Sequence, residues 1–168
     1  MSLIILPLIV LCMALIYAAI SDAGSMTITN HTSLVIMVAF ALATPMAWES
    51  WAVFGEHMLV GLAFFVAGFV MFAVGGLGGG DAKLMAATGL WWTAADALPY
   101  IAYVTIIGGA IALFLLLFRS YVPVRVTTSA WVGRMFKETK KMPYGLALSA
   151  GALLVLPGSD IVQRSLFG

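Results

Sequence analysis

The chain has 168 residues, of which 63% are apolar and 9% charged, with a mean hydropathy of +1.10. A soluble domain of this length carries roughly 42 charged residues, whereas eight basic and seven acidic residues are too few to cover a globular surface, which excludes a water-soluble monomer. A net charge of +1 with no broad basic patch argues against nucleic acid as a partner, and a single cysteine, Cys12, excludes a disulfide framework or a cysteine-based zinc cluster.

The composition predicts an all-α, polytopic protein with the lipid bilayer as its surroundings. A span needs about 20 mostly apolar residues. In chain order the candidates are residues 3–20, 33–48, 57–75, a short stretch after Asp81 through Leu84 to Trp92, then 99–118 and 142–156. The fourth offers few apolar residues before Thr93 and Asp96, so it has to be short, tilted or screened by protein. The first begins MSLIILP without a basic residue, unlike the positive start of a secretory signal, and is expected to be retained.

Arg119, Arg125, Arg134, Lys137, Lys140 and Lys141 fall in the fifth connection and Lys83 in the third, leaving only Arg164 on the other side. Six transmembrane helices with both termini outside collect seven of the eight basic residues at the cytoplasmic face. In SAWVGRMFKETKK, Trp131, Val132, Met135 and Phe136 share one helical face, which predicts an amphipathic interfacial helix near residues 129–141. A lipid tether and a substrate-docking surface are both open for it. Gly108 with Ala112, and Ala147 with Gly151, predict close helix packing. No repeat or linker divides the chain, so residues 1–168 are read as a single domain.

Ionisable groups near a membrane are costly and are functional candidates. Asp22 ends the first span and Asp81 opens the fourth; two spans separate them, so both emerge on the same side. Two carboxyls sharing a site disfavour double ionisation, and one can stay protonated while the other is ionised. That pair suits an aspartic peptidase, which needs a base to activate water and an acid for the leaving amine. The glycine run 75–80 is not a phosphate loop, since Asp81 and Ala82 stand where Lys and Ser/Thr are required. Its glycines instead break a helix and permit close backbone approach. His31 and His57 have no companions at metal-ligand spacing, so no metal and no cofactor is expected. Glu49, Glu56, Asp96 and Asp160 are expected to be solvated helix ends on the outer side.

These motifs resemble a known family. Gly78 to Leu84, GGGDAKL, is similar to the GxGDxKL motif of type IV prepilin peptidases; Asp22 with Ile28 and Asn30 resembles the family's first motif, and Pro143-Tyr144-Gly145 with Ala147 its PYGxA segment. The nearest likeness is to the short CpaA/TadV type of the Flp/Tad pilus system. Thr29 stands where the family usually has proline, and Ala23, Gly24 and Met26 replace polar or basic residues.

The resemblance implies a membrane-embedded aspartic endopeptidase in the cytoplasmic (inner) membrane, with its active site near the cytoplasmic face. It would remove the leader of prepilin or pseudopilin substrates after a glycine. Larger relatives carry an extra cytoplasmic region with cysteine pairs and also N-methylate the new terminus, and no such activity is expected here. Asp22 and Asp81 would be the catalytic pair, with Gly78 and Gly80 giving room beside them. Asn30 would orient the Asp22 loop, and Pro143 and Gly145 would shape the start of the sixth span. Lys83 is open between stabilising negative charge and anchoring as a snorkelling cation. A proton- or cation-coupled transporter or channel subunit, or a non-catalytic scaffold, are the competing readings. Oligomeric state is not legible.

Overall fold

The computed structural model describes residues 3–118 and 142–167. Every regular element among them is helical: α1 (Ile5–Ser25), α2 (Asn30–Ala43), α3 (Trp51–Ala73), α4 (Gly79–Gly89), α5 (Ala94–Phe118), α6 (Tyr144–Val155) and α7 (Asp160–Phe167), with a 3₁₀ turn at Leu156–Gly158. Four stretches, Ile5–Ser25, Trp51–Ala73, Ala94–Leu117 and Tyr144–Ser165, are long and apolar enough to cross a membrane. The shorter apolar helix Asn30–Ala43 has 14 residues and α4 has 11. The interfacial helix expected near residues 129–141, and the basic residues of that connection, lie outside the described residues.

Local chemistry sets boundaries that hydropathy blurs. The second helix stops at Ala43 rather than near Trp48. Thr44, still in helical geometry, donates its Oγ1 back to the Phe40 carbonyl at 2.9 Å, and Pro45 follows, a residue without the N–H that would continue the helical ladder. The third starts at Trp51 rather than His57, because Ser50 caps it by accepting the Val53 N–H at 3.3 Å. The fifth starts at Ala94, five residues before Pro99, where Thr93 and Asp96 form a reciprocal cap: Thr93 N–H and hydroxyl donate to Asp96 Oδ2 at 3.2 and 2.9 Å, and Asp96 N–H donates to Thr93 Oγ1 at 3.4 Å. After α3 the chain turns through Gly75 at φ +76°, a left-handed conformation that glycine adopts freely.

The short α4 is the centre of the assembly, packed on α2, α3 and α6, while α6 also packs on α1 and α5. Protein screens the weak fourth segment, as its composition requires. Without a hydrophobic force between helices in lipid, tight packing depends on small residues. Gly68 lets α3 approach the backbone of Ala82, where an added Cβ would stand 3.2 Å from its carbonyl oxygen, and Gly89 lies against Phe64. The small residues of α5 and α6 pack closely against one another: Gly108 faces Ala147, and Gly151 faces the backbone of Val104. Large side chains such as Phe65, Phe69, Leu113 and Leu116 point outward, as a lipid-facing surface requires.

Charged residues gather at the two ends of this bundle. At the end holding the α3 and α5 N-termini, Arg164 pairs with Glu49 and with Asp160 (2.7 Å), and Glu56 Oε1 accepts the Ala94 N–H at 2.9 Å. Asp96 is not a solvated end. It is buried, and besides capping α5 it accepts the Asp160 N–H at 3.3 Å, joining the starts of α5 and α7. Glu49, Glu56 and Asp160 remain solvent-accessible, as expected, while holding the partners named above. His57 is buried, with Nδ1 donating to the Leu90 carbonyl at 3.0 Å.

Candidate active site

At the opposite end, the last turn of α1, the first turn of α4 and the first turn of α6 converge. Asp22 is 3% exposed and Asp81 8% exposed. A buried carboxylate requires hydrogen-bond donors, and helix N-termini offer them because their first N–H groups lack intrahelical partners. The start of α6 is preceded by Pro143, which provides no side-chain cap. Asp22 fills that role from 124 residues away: its Oδ2 accepts the Leu146 N–H at 3.0 Å, and the Gly145 N–H also acts on the same carboxyl. The positive end of the α6 dipole therefore faces an acid carried by α1.

Asp81 occupies the third position of α4, and its carboxyl turns back to the backbone N–H of Gly78, which precedes the helix. The Gly145 N–H also acts on Asp81, as does the charge of Asp22. The start of α6 thus lies beside the acids of two different helices. Asp81 Oδ1 is buried and has no hydrogen-bond partner within the described protein.

Glycine is needed where these elements meet. A Cβ at Gly78 would stand 2.8 Å from Asp81 Oδ2, and one at Gly145 would stand 2.9 Å from Asp22 Oδ2 and would strike Ile28. At Gly80 it would lie 3.1 Å from both Cβ and the carbonyl oxygen of Ile28. Ile28 thereby wedges the loop between α1 and α2 against both α4 and α6. Gly78 and Gly145 thus stand against the carboxyls themselves.

The loop that carries Ile28 is held by hydroxyls. Ser21 Oγ donates to the Thr27 carbonyl at 2.8 Å, Ser25 Oγ donates to the Ser21 carbonyl at 2.7 Å, and the Ser25 and Thr27 hydroxyls lie 2.6 Å apart. Met26 adopts the left-handed region at φ 53°, with its N–H on the Asp22 carbonyl at 2.8 Å. Lys83 donates to Asn30 Oδ1 at 2.7 Å, so Asn30 ties the start of α2 to α4, and the Lys83 ammonium is engaged by an amide. Leu146 was not foreseen from the sequence, because a backbone N–H leaves no trace in residue type.

Two buried acids from different helices thus meet at one end of an apolar helical bundle, beside the first turn of α6. Residues 9–117 match the type IV leader peptidase family, well over half of the chain, and the chain belongs to that family. No curated protein and no solved structure matches it. The matched region contains Asp22, Asn30 and the Gly78–Lys83 motif; Pro143 and Gly145 lie beyond it.

Proposed function

We propose that the chain is a prepilin leader peptidase of the Flp/Tad type, working by an aspartyl pair formed by Asp22 and Asp81 and without N-methylation. The observation that carries this reading is that both acids are buried where α1, α4 and α6 meet, Asp22 against Gly145 and the Leu146 N–H and Asp81 against Gly78. In the reaction, the ionised member takes a proton from water as the water oxygen bonds to the scissile carbonyl carbon. The protonated member supports the carbonyl oxygen and then gives its proton to the departing amine as the C–N bond breaks. The proton taken from water replaces the one given up, and the pair is ready again.

The assembly is read as six spans, counting α2 and α4, with both termini outside and the pair at the cytoplasmic face of the inner membrane. The positive-inside distribution of Lys and Arg supports this orientation. A leader on the cytoplasmic side then meets the acids at the point where the substrate chain enters the bilayer. Transport chemistry is less well served, because acids that carry ions across a bilayer sit near the midplane.

The test is cleavage of a co-expressed cognate Flp-type prepilin by wild type, Asp22→Asn and Asp81→Asn at matched membrane levels. Size shift and the sequence of the mature N-terminus are the readouts. Cleavage after a glycine by wild type and by neither variant is expected. Cleavage surviving in either variant refutes the pair, and none by wild type refutes the peptidase.

A further inference from the structure

Between α3 and α5 lies a groove of about 410 Å³, lined also by residues of α4 and α6. A helix about 10 Å across rising 1.5 Å per residue occupies on the order of 120 Å³ per residue. The groove therefore takes roughly one turn of helix, or one face of a longer one. Thr105 and Gly109 of α5 and Met71 of α3 form its walls, and nothing lies within 4 Å of where a Gly109 Cβ would stand. Thr105 spends its hydroxyl on the Ile101 carbonyl at 2.7 Å, so that wall is apolar in effect.

The chain itself joins this groove to the acids. Leu77 and Tyr144 line it, and the residues that follow them are Gly78, which lies against the Asp81 carboxyl, and Gly145, which lies against that of Asp22. The buried Oδ1 of Asp81, without a partner in the described protein, marks the same end as a place for a ligand. A larger groove of about 590 Å³ between α1 and α2 is bordered by Met13, Thr29 and His31, none of them adjacent in sequence to a residue bonded to a carboxyl.

We propose that the α3–α5 groove seats the apolar helix of the substrate, delivering the peptide bond just before that helix to Asp22 and Asp81. This rests on the prepilin peptidase reading and adds where the membrane part of the substrate lies. A helix held there meets small residues on α5 and presents its first turn where Leu77 and Tyr144 give way to the site. Recognition would then lie in fit along the membrane segment, while the acids themselves touch only backbone.

Two experiments test this in proteoliposomes. Gly109→Phe fills the groove at a position with open space around it, and kinetics are compared for an intact prepilin and for a soluble peptide spanning the same bond but lacking the helix. Cleavage of the prepilin should fall by at least about tenfold in kcat/KM, mostly through KM, with the peptide unaffected. In the second, an Asp81→Asn, Cys12→Ser chain carries one new cysteine, Thr105→Cys or Met13→Cys, and is oxidised with a prepilin bearing one cysteine in its helix. Crosslinking at Thr105→Cys and not at Met13→Cys is expected. Unchanged prepilin kinetics in Gly109→Phe, or crosslinking through Met13→Cys instead, overturns the groove while leaving the peptidase standing. A wild type that cleaves neither substrate overturns both.

Discussion

Replacing Gly145 by alanine exchanges one hydrogen for a methyl group at the point where α6 meets α1. The new methyl would stand 2.9 Å from Asp22 Oδ2 and 3.0 Å from its Cγ, against the 3.4 Å at which ordinary contact begins, so the carboxyl must retreat by about 0.5 Å. Ile28, the other neighbour, meets the methyl with its terminal carbon and can rotate aside. The carboxyl has less freedom, because Oδ2 is the atom that accepts the Leu146 N–H at 3.0 Å. A hydrogen bond to a charged group contributes about 1.5–3 kcal/mol, which corresponds to roughly 10- to 150-fold if the loss falls on the transition state. Gly145→Ala is therefore expected to lower kcat/KM for prepilin cleavage within that range. Its thermal unfolding in detergent should change little, since alanine favours the helix by up to about 1 kcal/mol and offsets part of the lost cap. The assay is the initial rate of mature N-terminus formation at matched enzyme levels, beside an unfolding curve. Activity within twofold of wild type would refute the idea that this glycine holds the acid in place.

Gly78→Ala should cause a loss of similar size, since its methyl would stand 2.8 Å from Asp81 Oδ2, while Gly55→Ala, with nothing within 4 Å, should cleave prepilin at the wild-type rate. Lys83→Met removes an exposed tether to Asn30 worth about 0.2–1 kcal/mol, so cleavage should fall less than about fivefold; a loss beyond a hundredfold would mean that the ammonium acts on the reaction itself. Asp96→Ala leaves two helix starts without their acceptor and should lower stability by about 1–3 kcal/mol, read as an earlier unfolding transition, with the folded fraction still cleaving.

The helices α1, α3 and α5 were legible because long apolar runs have few alternatives in a membrane. Their ends were less so: hydropathy carried the second span to Trp48, past the Thr44-Pro45 stop, and began the fifth at Pro99, inside the helix that Thr93 starts. The convergence of Asp22 and Asp81 followed from counting spans, and the glycines beside Asp81 followed from their run. What holds Asp22 did not, because its partners are amides whose presence depends only on where α6 begins. Asp96 was misjudged as a solvated end for a different reason. Thr93 and Asp96 already carry the spacing of a reciprocal helix cap, a signal that hydropathy overrides and that local pattern would have caught.

The bond between Asp22 and Leu146 also has a consequence for biosynthesis. A ribosome delivers α1 and α4 to the membrane well before α6, so a nascent chain holds both acids while Asp22 still lacks the donors of residues 145 and 146. Only when α6 packs beside α1 does that carboxyl gain the amides that hold it in the site. The setting of Asp22 is thereby tied to the arrival of α6, and a chain interrupted before it would carry both acids with Asp22 lacking its bond to residue 146.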